Sequence, residues 1–176
     1  MTNFDYLKDC EGVKHLYELC CEVECRQASD PGTSALYARN VLDWIVQAIY
    51  RLEDIGDANG KSLFQLMNDD KFVRYINDAS MMQTLHYIRK IGNIGAHNPS
   101  SVKRNESYFV LRQLHGAVGA VLMKFGLISS FPDFDDNLIP KKPRLRVAPT
   151  ATAKSVSDEV QTVKAPPKPG SLNKSQ

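Results

Sequence analysis

The sequence predicts an all-α protein, a bundle of four to five helices followed by a disordered C-terminal tail. Apolar residues recur at three- and four-residue intervals through most of the chain before Gly126, which is the spacing of one helix face. No segment alternates convincingly with the two-residue period of a strand. A chain of 176 residues allows one domain with a sizeable core and a tail. We therefore predict a helical domain over residues 1–128 and a Pro/Lys-rich linker or tail over residues 129–176.

The first two predicted helices lie before residue 56. The first has an apolar face made of Val13, Leu16, Tyr17, Cys20 and Val23. Asp30 followed by Pro31 starts the second, because aspartate caps free amides and proline at the first turn loses no needed donor. This second helix is predicted to run to about Ile55. It is apolar over more than half its circumference, which places it centrally in the bundle.

Capping signals mark the later helices. Ser62 with Gln65, and Ser80 with Gln83, have the spacing of capping boxes, and they predict a short third helix and a longer fourth one. A last helix spans about 105–125, and Gly126 is a typical left-handed terminator.

The C-terminal part differs in composition from the rest. Seven of the nine prolines follow residue 130, and residues 141–176 lack the apolar residues that would form a helix face, so we expect disorder there. Residues 1–126 carry a net charge of −1 and residues 127–176 a net charge of +3. A body that is not basic argues against non-specific binding to nucleic acid. The run PKKPRLR is either a solvated linker, which we favour, or a contact for an acidic partner or nucleic acid.

Composition also excludes several classes of protein. No apolar run approaches the roughly 20 residues that span a membrane, and charged residues interrupt any N-terminal signal, so we expect a cytoplasmic protein without membrane partners. The four cysteines lack the spacing of a zinc site, and we predict no metal and no cofactor. The stretch GDANGKS has one residue too few between its glycines for a phosphate-binding loop, and it follows a predicted helix rather than a strand.

The stretch RKIGNIGAHNPSS, residues 89–101, carries the main candidate site. Arg89, Asn93 and His97 are spaced by four and therefore share one helix face. Gly92, Gly95 and Ala96 beside them leave a shallow surface where another helix can approach closely. The same letters also describe an ordinary helix end, since Pro99 stops the helix and a histidine there is favoured by the helix dipole.

A second polar stripe follows the second predicted helix. Arg39, Asp43 and Gln47 are spaced by four along an otherwise apolar element, and buried polar groups need partners. We expect the two stripes to face each other, with Arg39, Asp43 and Lys90 as binding residues. The alternative is that Arg39 and Asp43 form an exposed pair worth about 0.3–0.5 kcal/mol.

These residues resemble a known family, the helical domain of unknown function found alone and at the N-termini of type I restriction enzyme R subunits. The resemblance covers about residues 1–140 and rests on NFDYL, on Asp30-Pro31 leading to Arg39, on LHYIRKIGNIGAH and on FPDFDDNLIP. That family is grouped with the HEPN superfamily of four- to five-helix bundles, which includes metal-independent ribonucleases. In active members an arginine and a histidine four to six residues apart meet their copies across a dimer interface, whereas seven residues separate Arg89 from His97 here.

The resemblance implies two functions that the sequence leaves open. The first is an accessory interaction or regulatory domain of a restriction-type defence system, with a protein partner, the rest of a restriction complex or nucleic acid on the polar face. The second is a metal-independent HEPN-type ribonuclease acting as a homodimer. In it His97 is the acid or base, Arg89 or Arg39 stabilises the phosphate and Asn93 orients it. A purely structural helical domain is the third reading.

Overall fold

The structure is a computed structural model that describes residues 1–141. These residues form an all-α bundle without strands, as predicted, in which four long helices are joined by two short ones and by single 3-10 turns. The helices are α1 (Lys14–Arg26), α2 (Pro31–Leu52), α3 (Leu63–Met67), α4 (Asp70–Ile76), α5 (Ala79–His97) and α6 (Arg104–Lys124). No helix in residues 1–141 has both the length and the apolar content needed to cross a membrane. The tail predicted beyond residue 141 lies outside the described residues.

Helix α2 is the centre of the bundle. It packs against α1, α5 and α6 along its length and against α3 near its end. Trp44 and Val46, on opposite sides of the helix, are both fully buried, which explains why its apolar residues cover more than one face. The sequence-based placement of this helix is therefore confirmed. It ends at Leu52 rather than Ile55, because Asp54 adopts a left-handed conformation with φ of 49°.

The helix ends confirm most of the predicted capping signals. The Asp30 carboxylate accepts a hydrogen bond from the Thr33 amide, with Pro31 in the first helical position. Ser62 and Gln65 form a complete capping box, in which the Gln65 side chain accepts from the Ser62 amide at 2.8 Å. Gly126 ends α6 with φ of 71°.

One prediction about the middle of the chain is wrong, and one helix there was not predicted. Ser80 does not cap α5, because the carboxylate of Asp78 accepts from the Ser80 and Met81 amides and the helix begins at Ala79. A separate helix, α4, was not predicted. Its seven residues are too few for a helical period to stand out, and it is capped by Asp69 and ended by left-handed Asn77.

The segment after α6 folds back onto the bundle. Phe131 packs against Gly119, where an added Cβ would lie 2.5 Å from the phenyl ring. The Asp135 amide donates to the Asn3 side chain at 2.7 Å. The domain boundary at residue 128 stays a prediction. The contacts of Phe131 and Asp135 show that the chain still lies against the bundle beyond that residue.

Candidate functional site

Helices α2 and α5 are antiparallel and approach each other at glycines of α5. A Cβ added to Gly92 would lie 2.4 Å from Cβ of Arg39, and one added to Gly95 would lie 2.4 Å from the carbonyl oxygen of Gly32. As α5 advances, its contact on α2 moves back, which defines the antiparallel direction. The predicted close approach at these glycines is confirmed. Ala96, expected on the same shallow surface, is exposed instead.

Arg39 sits at this crossing. The first carbons of its side chain pack on Gly92, and the residue is half-buried. Its Nε is buried and has no hydrogen-bond partner within residues 1–141. A buried N–H without a partner costs about 1–3 kcal/mol of stability.

Asp43 lies one turn further along α2. Burial raises the pKa of the Asp43 carboxyl, and the positive charge of Arg39 lowers it in part. The two side chains make no ion pair within 4.0 Å in the described part of the chain. Arg39 therefore influences the Asp43 carboxylate through its charge without forming a salt bridge with it. Gln47, the next residue of the polar stripe on α2, is also half-buried.

Arg89 precedes Gly92 by three residues on α5, so it lies near the same face of that helix. Its guanidinium lies 4.8 Å from the ring centroid of Phe64, within the range of a cation–π contact. Its Nε, like that of Arg39, is buried without a hydrogen-bond partner in residues 1–141. Phe64 is 52% exposed, so ring and cation form part of the surface. The contact of Phe64 was not predicted, because nothing in the short helix α3 indicates that its phenyl ring meets α5.

His86 belongs to the surroundings of Arg89. The imidazole is half-buried, and burial lowers the pKa of His86, with the nearby charge of Arg89 lowering it further. A neutral imidazole beside a cation is a hydrogen-bonding group at neutral pH. The structure therefore puts His86 within the electrostatic reach of Arg89.

The remaining predicted residues lie further towards the open surface. Asn93 is half-buried next to Gly92, whereas Lys90 and His97 are exposed. His97 is the last residue of α5, as its position before Pro99 predicted. It lies about 7.5 Å along the helix axis from the level of Gly92 and Arg39. The structure thus brings Arg39, Asp43 and Gly92 together and leaves His97 at the end of the face.

The α2–α5 face, by which we mean Arg39 and Asp43 of α2 with Arg89 and Asn93 of α5, carries two guanidinium groups and one carboxylate. The Nε atoms of both arginines are buried without a partner in residues 1–141. Arg is suited to bidentate recognition of carboxylate or phosphate through its terminal nitrogens. Within residues 1–141 no three of the histidine, cysteine, aspartate and glutamate side chains are grouped to hold a metal ion.

Comparison with protein-family models, with curated proteins and with solved structures finds no match to this chain. The relationship to the HEPN-like helical domains of restriction enzymes therefore stays a prediction based on the sequence motifs.

Proposed function

We propose that this chain is an accessory interaction domain of a prokaryotic restriction-type defence system, and that its α2–α5 face binds a protein of the restriction complex. The assignment to a restriction-type defence system rests on the resemblance of the sequence motifs. The observation that carries the binding role is that the half-buried arginines Arg39 and Arg89 make no salt bridge within residues 1–141. A carboxylate on the partner would accept from the terminal guanidinium nitrogens of these arginines, whose fork geometry suits bidentate recognition.

The geometry favours binding over catalysis. A general acid or base acts at hydrogen-bond distance, about 2.6–3.2 Å, from the proton it transfers. His97 lies at the exposed end of α5, about 7.5 Å along the axis from the level of Arg39. The backbone positions of these two residues are thus offset along the axis by more than one helical turn.

The alternative is a metal-independent ribonuclease acting as a homodimer. The observation that favours it is the exposure of His97, which leaves the imidazole accessible to a second copy of the chain. In that arrangement the arginine and histidine acting on one phosphate come from different copies. This alternative requires both RNA cleavage and a dimer in solution.

A binding assay tests the proposal. The purified chain is titrated against a type I restriction complex from which the corresponding N-terminal domain has been removed. We expect Arg39→Gln and Arg89→Gln to weaken binding by about tenfold or more, since each removes a charged donor at the interface. Lys14→Gln, at an exposed position at the start of α1, is the control and should bind like wild type. Undiminished binding by both arginine variants would reject the assigned face.

A second assay separates the alternative. RNA cleavage is measured in a metal chelator for wild type and His97→Ala, with native mass determined on the same samples. Cleavage that is lost in the variant, together with a dimeric mass, would replace the binding role by the ribonuclease. Absence of cleavage by a folded wild-type protein would reject the ribonuclease.

A further inference from the structure

A groove of about 740 Å³ lies between the first turns of α6 and residues 136–141. Its lining includes Arg104, Tyr108, Asp136, Ile139 and Lys141, and none of its lining residues belongs to α2 or α5. The volume falls in the range of about 300–1,000 Å³ that is usual for ligand sites. This groove is therefore a second candidate site, separate from the α2–α5 face.

The rim of the groove carries more positive than negative charge. Arg104 and Lys141 are exposed, and neither takes part in an ion pair with another residue of the described chain. The carboxylate of Asp136 accepts a hydrogen bond of 2.5 Å from the Tyr108 hydroxyl, which satisfies one of its oxygens. Two cations without a carboxylate partner thus border the opening.

The wall of the groove is apolar and holds a fixed aromatic ring. Ile139 and Pro140 are half-buried beside Tyr108. The Tyr108 ring is fixed by its bond to Asp136 and by an edge contact with Phe134 at 6.4 Å between centroids. An aromatic ring that is already immobilised loses little conformational entropy when a planar group packs on it.

This combination points to one kind of ligand. Single-stranded nucleic acid is bound by cations that contact its phosphates and by aromatic rings on which its bases stack. In the sequence Lys141 is followed by Lys142, Pro143, Arg144, Leu145 and Arg146, three of which are positively charged. We propose that the groove binds single-stranded nucleic acid, with phosphates at Arg104 and Lys141 and a base against Tyr108. The site goes beyond the proposed function, because it uses a different face and does not require the restriction partner.

The first test removes the charges. Binding of a labelled single strand of about 12 nucleotides to the full chain is followed by fluorescence anisotropy at several salt concentrations. Arg104→Gln with Lys141→Gln should raise Kd at least about tenfold and lower the slope of log K against log salt by about 1.4, which corresponds to two phosphate contacts. The control, Lys14→Gln with Lys71→Gln, removes the same charge from exposed positions in α1 and α4 and should leave Kd nearly unchanged.

The second test addresses the ring. Tyr108→Leu removes the stacking surface and should raise Kd by about fivefold or more, whereas Tyr108→Phe keeps the ring and should stay within about twofold of wild type. Circular dichroism and thermal unfolding verify that each variant is folded. Because Tyr108→Phe also loses the bond to Asp136, it separates the ring from the hydrogen bond.

Any one of three results would overturn the proposal. The wild type shows no binding at about 50 mM salt, the control variant loses as much affinity as Arg104→Gln with Lys141→Gln, or the wild type binds a duplex of the same sequence as tightly as the single strand. Equal affinity for a polyglutamate peptide would identify an acidic protein segment as the occupant instead. Loss of binding in Arg39→Gln but not in Arg104→Gln with Lys141→Gln would move the nucleic acid to the α2–α5 face.

Discussion

The imidazole of His115 lies against the ring of Phe131, with centroids 5.5 Å apart and planes inclined at 68°. Phe4, Tyr6 and Phe134 surround the same imidazole at 5.5–5.6 Å. His115 is 3% exposed, and its Nε2 has no hydrogen-bond partner in residues 1–141. One histidine of α6 thus joins the segments that precede α1 and follow α6.

Acid should weaken this aromatic cluster. Burial lowers the pKa of His115, while a backbone hydrogen bond involving Asn3 and the charge of Asp133 oppose the shift. Above a pH of about 6.5 the imidazole is neutral in both folded and unfolded chains. As the pH falls below that value the unfolded chain binds a proton that the folded chain resists, so the free energy of unfolding decreases until the folded pKa is passed.

The measurement compares urea unfolding of wild type and His115→Phe from about pH 7.5 to about pH 5. The variant keeps an aromatic ring and does not titrate, so its free energy of unfolding should fall less. Burial raises the pKa values of Glu24 and Asp43, which act in the opposite direction but are present in both proteins. Parallel pH profiles would show that His115 is not the titrating group.

Asn3→Ala should destabilise the bundle by about 2–4 kcal/mol. The Asn3 side chain donates to Glu24 at 2.8 Å and to the Asp135 carbonyl at 3.1 Å, and accepts from the Asp135 amide at 2.7 Å. Glu24 is 1% exposed, so its carboxylate would lose a donor in a buried place. Asn137→Ala removes an exposed amide that contacts Asp135 and should cost less than about 0.5 kcal/mol. Equal effects in chemical denaturation would contradict this assignment.

Two glycine substitutions should change the free energy of unfolding in opposite directions. Gly92→Ala would force α2 and α5 apart and should cost about 1–3 kcal/mol, because the new methyl would meet Arg39 Cβ and the Ala35 carbonyl. Gly116, in α6, has nothing within 4 Å of an added Cβ. Gly116→Ala should therefore stabilise the protein by about 0.5–1 kcal/mol through helix propensity. Thermal unfolding of both variants gives the comparison, and a destabilising Gly116→Ala would mean that this face is covered.

Arg89→Gln should raise the pKa of His86. The positive charge of Arg89 lowers that pKa, so its removal favours the protonated imidazole, while burial still holds the pKa below its usual value. Proton NMR titration of the imidazole measures the change. Phe64→Leu removes the ring beside Arg89 and keeps the charge, so a smaller shift is expected. An unchanged pKa in Arg89→Gln would place the two groups further apart than the structure has them.

The parts of the fold that sequence predicts are those set by nearby residues. Asp30 with Pro31 and the capping box at Ser62 act within one helical turn, and both predictions hold. Asp78 and Ser80 are both suitable caps for the start of α5, and the structure uses the carboxylate of Asp78. Spacing alone does not decide between two such neighbouring caps.

For the candidate site too, the sequence predicted what depends on spacing along a single helix. The four-residue spacing placed Arg39 with Asp43 and Arg89 with Asn93 on helix faces, and the glycines indicated where α2 and α5 meet. The exposure of His97 depends on how far the α2–α5 crossing lies from the end of α5. That distance is set by the packing of the helices and not by the local sequence. Phe64 on Arg89 and Phe131 on His115 join residues distant in sequence, and no local pattern indicates such pairs.

The pairing of Asn3 with Asp135 brings the entry and exit of the bundle to one corner. A unit with that layout can be grafted into a surface loop of a larger protein as a side branch, because the host chain resumes close to where it was interrupted. Flanking segments would then keep their separation whether the bundle is folded or absent. Architecture of this kind suits modular exchange between assemblies, since gaining or losing the unit leaves the geometry of the host intact.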